Sequence, residues 1–280
     1  MTGKDVFLFL RIPFNSVEYN NSMKLKCPVC GKPLEKVNRS FVCENRHTFD
    51  FAKSGYVNLL NSNSASHGDN KEMTKARTAF LSTDSYRFLR DFIGNLLSEK
   101  QEDVFLDLGC GEGYYTRSMP GKERYGFDIS KDMVNYAAKK DKETLYAVAS
   151  IFDLPVFDAC AGAVLTCFAP CREEEILRIL KDDGIFVFVS PGPNHLKELK
   201  EVLYETTYEN ETEQRFHTLK MEQEHLITAP FAVEHDHLMN LFMMTPYYYR
   251  TGTTGKKKLE DIASISITAE FLVRTYRKPL

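Results

Sequence analysis

The chain has 280 residues, of which 43% are hydrophobic and 27% charged, and its net charge is −3. Such a chain can bury the core of one large domain beside a small module, and its slight acidity argues against a protein that coats nucleic acid over its whole surface. Its apolar runs are shorter than the roughly 18 residues of a membrane span. Seven cysteines without a secretory signal indicate reduced thiols in the cytoplasm and no disulfide framework.

Four segments follow one another along the chain. Residues 1–22 fit no secondary structure and are interpreted as an N-terminal extension of uncertain status, and residues 23–60 are interpreted as a compact module of short strands and turns. Residues 61–84 are expected to form a polar linker (NSNSASHGDN) and a helix, and residues 85–280 the large domain. Apolar spacing after residue 70 predicts two helices that separate near residues 82–85.

The charges are unevenly distributed over these segments. The net formal charge is +4 over residues 24–53, +3 over residues 71–90 and −9 over residues 91–280. Residues 24–53 also contain three cysteines, and if these bound a divalent metal ion as thiolates the segment would still be positive. An anionic partner is therefore expected to meet the N-terminal part.

Three cysteines and a histidine are crowded into one short stretch, with the spacing Cys27-x2-Cys30-x12-Cys43-x3-His47. Two close pairs of soft ligands joined by a loop are typical of a tetrahedral zinc site. Four protein ligands leave no open coordination position, so the zinc is expected to be structural. In so small a module, metal binding would supply much of the folding free energy, on the order of 10 kcal/mol.

From residue 104, short apolar runs alternate with amphipathic stretches. The runs VFLDLGC, RYGFDIS, TLYAVAS, AGAVLTCFA and GIFVFVSP are expected to be strands, and KDMVNYAAKK, EEEILRIL and HLKELKEVLYETT helices. This alternation predicts an α/β fold with a mainly parallel sheet covered on both faces. The late segments YYYRT and SISITAEFLVRTYR are expected to add β structure at an antiparallel end of the sheet.

A glycine-rich loop follows the first of these strands. VFLDLGCGEGYYT places Asp107, Gly109, Gly111 and Gly113 where the chain must turn sharply, and glycines there let the backbone approach a ligand. Nucleotide-binding loops and ordinary tight turns share this pattern. At the end of the next strand lies Asp128, from which a carboxylate can accept hydrogen bonds from both ribose hydroxyls.

The charges around this loop favour S-adenosylmethionine over NAD. Glu112 suits a cofactor that carries an ammonium and a sulfonium group, and LDLGCGEG contains no basic residue that could hold a pyrophosphate. Asp153, after the third strand, is expected to contact the adenine, although it could equally cap a turn.

Seven segments of the chain, in this order, resemble the RlmA family of 23S rRNA guanine-N1 methyltransferases. They are CPVCGKPL, CENRHTFDFAKSGYVNLL, GDNKEMTKARTAFL, LDLGCGEGYYT, FDISK, APC and PGPNHLKELK. The resemblance runs from residue 24 to about residue 280. It implies that residues 85–280 form a class I, Rossmann-like, S-adenosylmethionine-dependent methyltransferase domain and that residues 23–60 form a small N-terminal zinc-binding, RNA-recognition domain. Members methylate N1 of one of two nearby guanines in the hairpin 35 loop of 23S rRNA, act as homodimers with a basic cleft, and in some cases confer macrolide resistance.

The resemblance also implies roles for individual residues. The zinc ligands of the family fall on the four residues identified above, and its cofactor contacts fall on Tyr86, Gly111, Glu112 and His195. Tyr86 could equally be a core aromatic and His195 a helix cap. This chain departs from the family in a short stretch between GYYT and RYGFD, which puts the first helix of the fold in doubt.

The loop after the fourth strand, TCFAPC, is expected to face the substrate. Ala169 and Pro170 are expected to shape the base pocket, and no general base is assigned. Reactive thiols at Cys167 and Cys171 are unnecessary for methylation of nitrogen. The cluster expected to contact RNA comprises Lys24, Lys26, Lys32, Lys36, Arg39, Arg46, Lys75, Arg77, Arg87 and Arg90.

Two alternatives explain half of the chain each. A small-molecule methyltransferase would share the cofactor loop but has no need of a basic zinc module. A non-catalytic, zinc-containing regulator that binds nucleic acid would not need Asp107, Gly111, Glu112 and Asp128 in this arrangement.

Overall fold

The computed structural model describes residues 24–60, 71–98, 104–212 and 216–279, which form a three-stranded sheet and an eight-stranded sheet. The expected N-terminal extension, residues 1–22, and the polar stretch of residues 61–70 lie outside this part of the chain. Within it, none of the helices combines the length and the hydropathy that crossing a membrane requires.

The N-terminal module is built on the small antiparallel sheet. Its strands are β1 (Glu35–Val37), β2 (Ser40–Val42) and β3 (Thr48–Asp50). A tight turn precedes them, in which the Gly31 N–H donates to the Cys27 carbonyl over 2.8 Å. The expected knuckle at CPVCG and the expected short strand at RSFVC are both confirmed.

The large sheet contains strands from both parts of the chain. In chain order they are β4 (Val57–Asn58), β5 (Val104–Leu108), β6 (Glu123–Asp128), β7 (Thr144–Val148), β8 (Ala161–Cys167), β9 (Leu180–Pro191), β10 (Lys220–Glu234) and β11 (Ser264–Arg277). Their spatial order is β10-β11-β9-β8-β5-β6-β7-β4. The pairs from β4 to β9 are parallel, and β11 runs antiparallel to both β9 and β10.

This topology confirms the predicted α/β class and positions the site. After β5 the chain builds β6 and β7 on one side and then crosses to β8 on the other side. In parallel sheets, ligands bind beyond the carboxyl ends of the strands at such a switch point. The loops after β5, β6 and β8 therefore border one crevice.

Eight helices cover the sheet in the described chain. They are α1 (Lys71–Leu81), α2 (Arg87–Ser98), α3 (Lys131–Lys140), α4 (Glu173–Ile179), α5 (Lys197–Leu203), α6 (His235–Met243), α7 (Tyr247–Arg250) and α8 (Thr253–Glu260). Between β5 and β6 the chain forms only a 3-10 turn, Thr116–Ser118, at the place where the sequence put the first helix of the fold in doubt.

The zinc module packs into the same core as one face of the large sheet. Along β5 the side chains alternate: Phe105 belongs to the cluster that includes Leu89 of α2, whereas Leu106 belongs to the cluster that includes Phe41 and Cys43 of the module. This is the period of two that a strand imposes. The module is thus one of the layers that cover the sheet.

Two expectations for the C-terminal part differ from the structure. YYYRT is not β structure but the short helix α7, because Pro246 precedes it with a helical φ of −60° and Tyr247 is buried against the core. The 15-residue strand β10 was missed. It lies at the edge of the sheet and contains Pro230, and proline in an apolar run argues against a central strand but is tolerated at an edge.

Candidate active site and metal centre

The four predicted zinc ligands lie together. Their ligand atoms are all within 4.8 Å of one another, with the Cys30 and Cys43 sulfurs 3.7 Å apart and the His47 Nδ1 atom 3.5 Å from the Cys27 sulfur and 3.4 Å from the Cys43 sulfur. A tetrahedral zinc with Zn–S bonds of about 2.3 Å requires a spacing of about 3.8 Å between sulfurs and about 3.6 Å between sulfur and nitrogen. The cluster therefore fits a zinc ion.

The local backbone prepares this cluster for a cation. Cys27 and Cys43 are buried, and burial raises the pKa of Cys27 to about 11, whereas a backbone hydrogen bond from Lys32 lowers the pKa of the partly exposed Cys30 to about 6. Such a thiol is mostly a thiolate at neutral pH, which is the form that binds metal. All four ligands are protein side chains, so the centre is structural.

The end of β6 holds the glycine loop that follows β5. The N–H groups of Gly109 and Cys110 donate to the Phe127 carbonyl over 2.8 and 3.0 Å, and the Gly111 N–H donates to the Asp128 carboxylate over 2.9 Å. The other oxygen of Asp128 accepts from the Ser130 N–H over 2.8 Å. Asp128 thus fixes the conformation of the glycine loop.

Two further acidic side chains are buried beside this loop. Asp107 accepts a 2.6 Å hydrogen bond from the Thr116 hydroxyl, and Glu112 pairs with Arg117 at 3.4 Å. One oxygen of each carboxylate has no hydrogen-bond partner among the described residues. Burial raises the pKa of Asp107 to about 7 and that of Glu112 to about 6.

These features fit the cationic cofactor that the sequence suggests. A Cβ atom on Gly111 would meet nothing within 4 Å, so the space in front of the loop is open. An unsatisfied, buried Glu112 oxygen suits an ammonium or sulfonium group better than a phosphate, because like charges in a desolvated site repel.

Tyr86 and His195, which only the resemblance placed near the cofactor, lie close to each other. Their rings are 6.3 Å apart, and both pack against Phe271, at 5.0 and 4.6 Å. The Tyr86 hydroxyl is buried and has no hydrogen-bond partner in the described chain. Tyr86 is therefore a core aromatic by packing, with one polar atom left for a ligand.

His195 is neutral, and its tautomer is defined. Its burial lowers its pKa to about 3, and its Nδ1 atom accepts a hydrogen bond of 3.2 Å from the Glu270 N–H. The remaining nitrogen, Nε2, consequently carries the proton. His195 can donate a hydrogen bond there but cannot accept a proton from a substrate.

The loop after β8 lies on the glycine loop, as its expected role requires. A Cβ atom on Gly109 would overlap the side chain of Ala169, and Pro170 is exposed. Between them and the strand, Phe168 has a left-handed φ of +61° and is 38% exposed. Burial raises the pKa of Cys171 to about 11, which disfavours a reactive thiolate.

Asp153 borders a cleft that none of the other predicted cofactor residues lines. Its side chain is exposed and lines a cleft of about 200 Å³, together with Lys26 and Cys27 of the zinc module. The expected contact with adenine thus remains a prediction.

Several of the predicted RNA-binding cations have carboxylate neighbours. Lys32 pairs with Glu44 at 2.9 Å, Arg87 with Asp91 at 3.1 Å, and Arg90 with Asp84 at 3.3 Å. These pairs are exposed on at least one side and leave the groups open to exchange with phosphates.

Sequence reasoning missed three contributors to the site: Thr116, Arg117 and Phe168. The first two follow the glycine loop and bind Asp107 and Glu112. Phe168 is adjacent to Ala169 and Pro170, and its left-handed backbone leaves no signal in a residue that is not glycine.

Comparisons with known proteins agree with this geometry. A family model described as RlmA, N-terminal, matches residues 25–64, and a methyltransferase-domain model matches residues 99–245. The 23S rRNA (guanine(748)-N(1))-methyltransferase of Streptomyces fradiae is 33% identical over 237 residues, which cover 79% of this chain and 84% of that protein. YxjB of Bacillus subtilis (strain 168), provisionally named a 23S rRNA guanine-N(1) methyltransferase, is 32% identical over 194 residues, 64% of this chain and 68% of that protein.

Among solved structures, the YcgJ protein from Bacillus subtilis is similar with a TM-score of 0.47 and 15% identity, and the match covers 68% of this chain and 98% of that one. The family follows from the sequence matches, which include a zinc-ribbon model, a methyltransferase-domain model and a relative aligned over most of both chains. The chain belongs to the RlmA family of 23S rRNA (guanine-N1)-methyltransferases.

Proposed function

We propose that this enzyme transfers a methyl group to N1 of a guanine in the hairpin 35 loop of 23S rRNA. The observation that carries the proposal is the open space at Gly111 beside the unsatisfied carboxylate of Glu112, in a chain whose basic zinc module packs on the same sheet. The name of the Streptomyces fradiae relative supports the RNA and the atom, and the family resemblance supports the loop. The resemblance also supports a homodimer, with residues 23–60 as the RNA-recognition domain and residues 85–280 as the catalytic one.

S-adenosylmethionine, when bound, supplies an electrophilic methyl group on a sulfonium. In this proposal the cofactor-binding residues are Tyr86, Asp107, Gly109, Gly111, Glu112, Gly113, Asp128, Asp153 and His195. Glu112 offers a negative charge to the cationic ligand, and Asp128 orients the loop through Gly111. Such preorganisation in a well-oriented site can lower the barrier by about 7–11 kcal/mol.

Guanine N1 carries a proton at neutral pH, and in this proposal that proton passes to solvent water as N1 forms its bond to the methyl group and the bond between the methyl group and sulfur breaks. We propose that the loop after β8 holds the base and that the backbone carbonyls of Ala169 and Pro170 accept from its N–H groups. That loop lies directly on Gly109, so a base bound there is next to the cofactor crevice. His195 does not serve as the base, because its free nitrogen already bears a proton.

The test is methylation of 23S rRNA that lacks its own modification. The purified enzyme, labelled cofactor and this rRNA are incubated, and the methylated nucleotide is mapped by the stop that an N1-methylguanine causes in reverse transcription. We expect one stop in hairpin 35 and none with an Asp128→Ala variant. Label found only in small molecules, or a stop elsewhere in the rRNA, would overturn the proposal.

A further inference from the structure

A cleft of about 570 Å³ lies between the zinc module and the large sheet. One wall contains residues 36–41 and 51–55 of the module, and the other contains residues 122–125 and 142–145, where β6 and β7 begin. Its basic side chains are Lys36, Arg39, Lys53, Lys122, Arg124 and Lys142. We call this feature the basic cleft.

The basic cleft concentrates positive charge in an acidic protein. Its six basic side chains face two acidic ones, Glu123 and Glu143, which leaves an excess of four positive charges, whereas the whole chain has a net charge of −3. Glu143 pairs with Arg124 at 2.8 Å but is itself 82% exposed, so solvent weakens this pair. The cleft therefore attracts anions.

The two walls are tied together. The Lys142 ammonium, from the wall of the large sheet, donates to the Ser54 carbonyl of the module over 2.8 Å and also to the Ala138 carbonyl at the end of α3. The module is further joined to the large sheet by the pairing of β4 with β7. The basic cleft is thus already formed in the free protein.

The cleft is suited to phosphates and not to bases. Its aromatic side chains are Phe41, Phe51 and Tyr125; the first and last are buried, and the Lys36 ammonium lies over the Phe51 ring at 5.4 Å. Single-stranded bases are held by stacking on exposed rings, whereas helical RNA is held mainly through its phosphates. This lining favours the backbone of a helical segment.

The basic cleft lies at the opposite end of the strands from the catalytic crevice. It is lined by the first residues of β6 and β7, and the crevice lies beyond their last residues. A strand of six residues, such as β6, spans about 20 Å. An RNA segment in the cleft is therefore distinct from the nucleotide that is methylated.

We propose that the basic cleft binds the phosphate backbone of a helical part of the rRNA substrate, away from the target base. This inference rests on the proposed function, since it requires rRNA to be the substrate. It assigns an RNA-binding role to Lys53, Lys122, Arg124 and Lys142, and it places Lys36 and Arg39 on the same phosphates.

The experiment compares two double variants with equal changes in charge. The first double variant, Arg39→Gln/Lys122→Gln, removes one cation from each wall of the cleft. The control, Lys257→Gln/Lys258→Gln, removes two exposed lysines of α8, which does not line the cleft. We expect the cleft variant to raise the KM for rRNA on the order of 10-fold and to reduce the slope of log KM against log salt by about 2, because each lost phosphate contact reduces it by about 0.9. Its kcat, its KM for S-adenosylmethionine and its zinc content should match the wild type.

Equal KM values and salt slopes for the two double variants would overturn the inference. If the cleft variant is poorly folded, as zinc content and Tm would reveal, the single variants Lys53→Gln and Lys122→Gln replace it, each with about half of the slope change. A wild-type protein that methylates no rRNA would instead refute the proposed function. The two failures are therefore distinguishable.

Discussion

Glu112 is a buried carboxylate of which one oxygen pairs with Arg117 and the other has no hydrogen-bond partner among the described residues. It is 2% exposed, and burial raises its pKa to about 6, so in the free protein it becomes protonated as the pH falls through that value. A neutral side chain attracts a cation less strongly. We predict that protonation of Glu112 lowers the S-adenosylmethionine affinity by at most about 4-fold between pH 7.5 and pH 5.5, as measured by isothermal titration calorimetry.

The variant Glu112→Gln tests this assignment. It should bind the cofactor about 10-fold more weakly at pH 7.5 and lose the part of the pH dependence that comes from Glu112, while the part that comes from Asp107, whose pKa is about 7, stays. A raised carboxyl pKa means that ionisation above the unfolded value of about 4.5 costs stability, so the Tm of the variant at pH 7.5 should not fall. Unchanged affinity at pH 7.5 would contradict the role of Glu112.

Gly109 tests the contact between the glycine loop and the substrate loop. It has a left-handed φ of +75°, and a Cβ atom there would overlap the side chain of Ala169. We predict that Gly109→Ala destabilises the protein by about 2–4 kcal/mol in urea denaturation, from backbone strain and from overpacking together. Adding Ala169→Gly should recover only the share of the lost stability that is due to overpacking. A double variant no more stable than Gly109→Ala would show that the side chain of Ala169 does not press on the glycine loop.

The sequence predicted best those site residues whose amino-acid type allows few roles, such as paired cysteines and loop glycines. Cysteine pairs at ligand spacing converge in space, and the glycines adopt left-handed backbone angles. Roles that depend on a contact with a residue from a distant segment could not be predicted from the sequence. The expected contact of Asp128 with ribose stays a prediction. The structure shows instead that Asp128 accepts a hydrogen bond from Gly111, 17 residues away in the sequence, and no spacing rule identifies this contact.

At the scale of elements, α3 shows a local rule that sequence makes visible. Ser130 precedes the helix with an extended backbone, and its hydroxyl accepts from the Met133 N–H over 3.4 Å. Ser130→Ala should lower the free energy of unfolding by about 1 kcal/mol, measured by urea denaturation with an unchanged m value. Ser130→Gly should cost only a few tenths of that, since glycine is tolerated at this position; equal losses would argue against capping.

Elements were predicted well where periodicity and composition agreed. The strands β5 and β8 and the second half of β9 are buried at successive positions, hence on both faces, and they appear as apolar runs that were visible in the sequence. The helix α7 and the strand β10 were not. Tyr247 and its neighbours have high strand propensity, which Pro246 and tertiary burial override. The first five residues of β10 are all exposed and the strand contains Pro230, so its sequence lacks the usual strand pattern.

On the scale of the whole molecule, the zinc module is part of the core and not an appended domain. Besides the β4–β7 pairing, the Lys26 N–H donates to the Pro155 carbonyl over 2.8 Å and the Leu59 N–H to the Val148 carbonyl over 2.9 Å. Charge patterning led to the prediction that an anionic partner meets the N-terminal part, and this stays a prediction. It did not predict this docking, because the backbone hydrogen bonds that join two distant segments are independent of side-chain type.

Removing zinc should therefore destabilise the entire chain. Strands of three residues cannot hold the module together, so without metal Cys27 and Phe41 would leave a core that they share with Leu106 and Val156. We predict one cooperative thermal transition, followed by circular dichroism, that moves down on chelation. A loss of only about 3 kcal/mol would lower the Tm by roughly 6–12 °C in a chain of this size.

The variant Cys30→Ser gives the same test without a chelator. Its side chain is partly exposed, so the substitution removes a ligand with little loss of packing, whereas Cys160→Ser exchanges a buried thiol outside the cluster as a control for the chemistry of the change. We expect Cys30→Ser to lose zinc and to melt early over the whole chain, and Cys160→Ser to keep its zinc. A separate low-temperature transition confined to the module, with the main transition unmoved, would show that the large sheet stands without it.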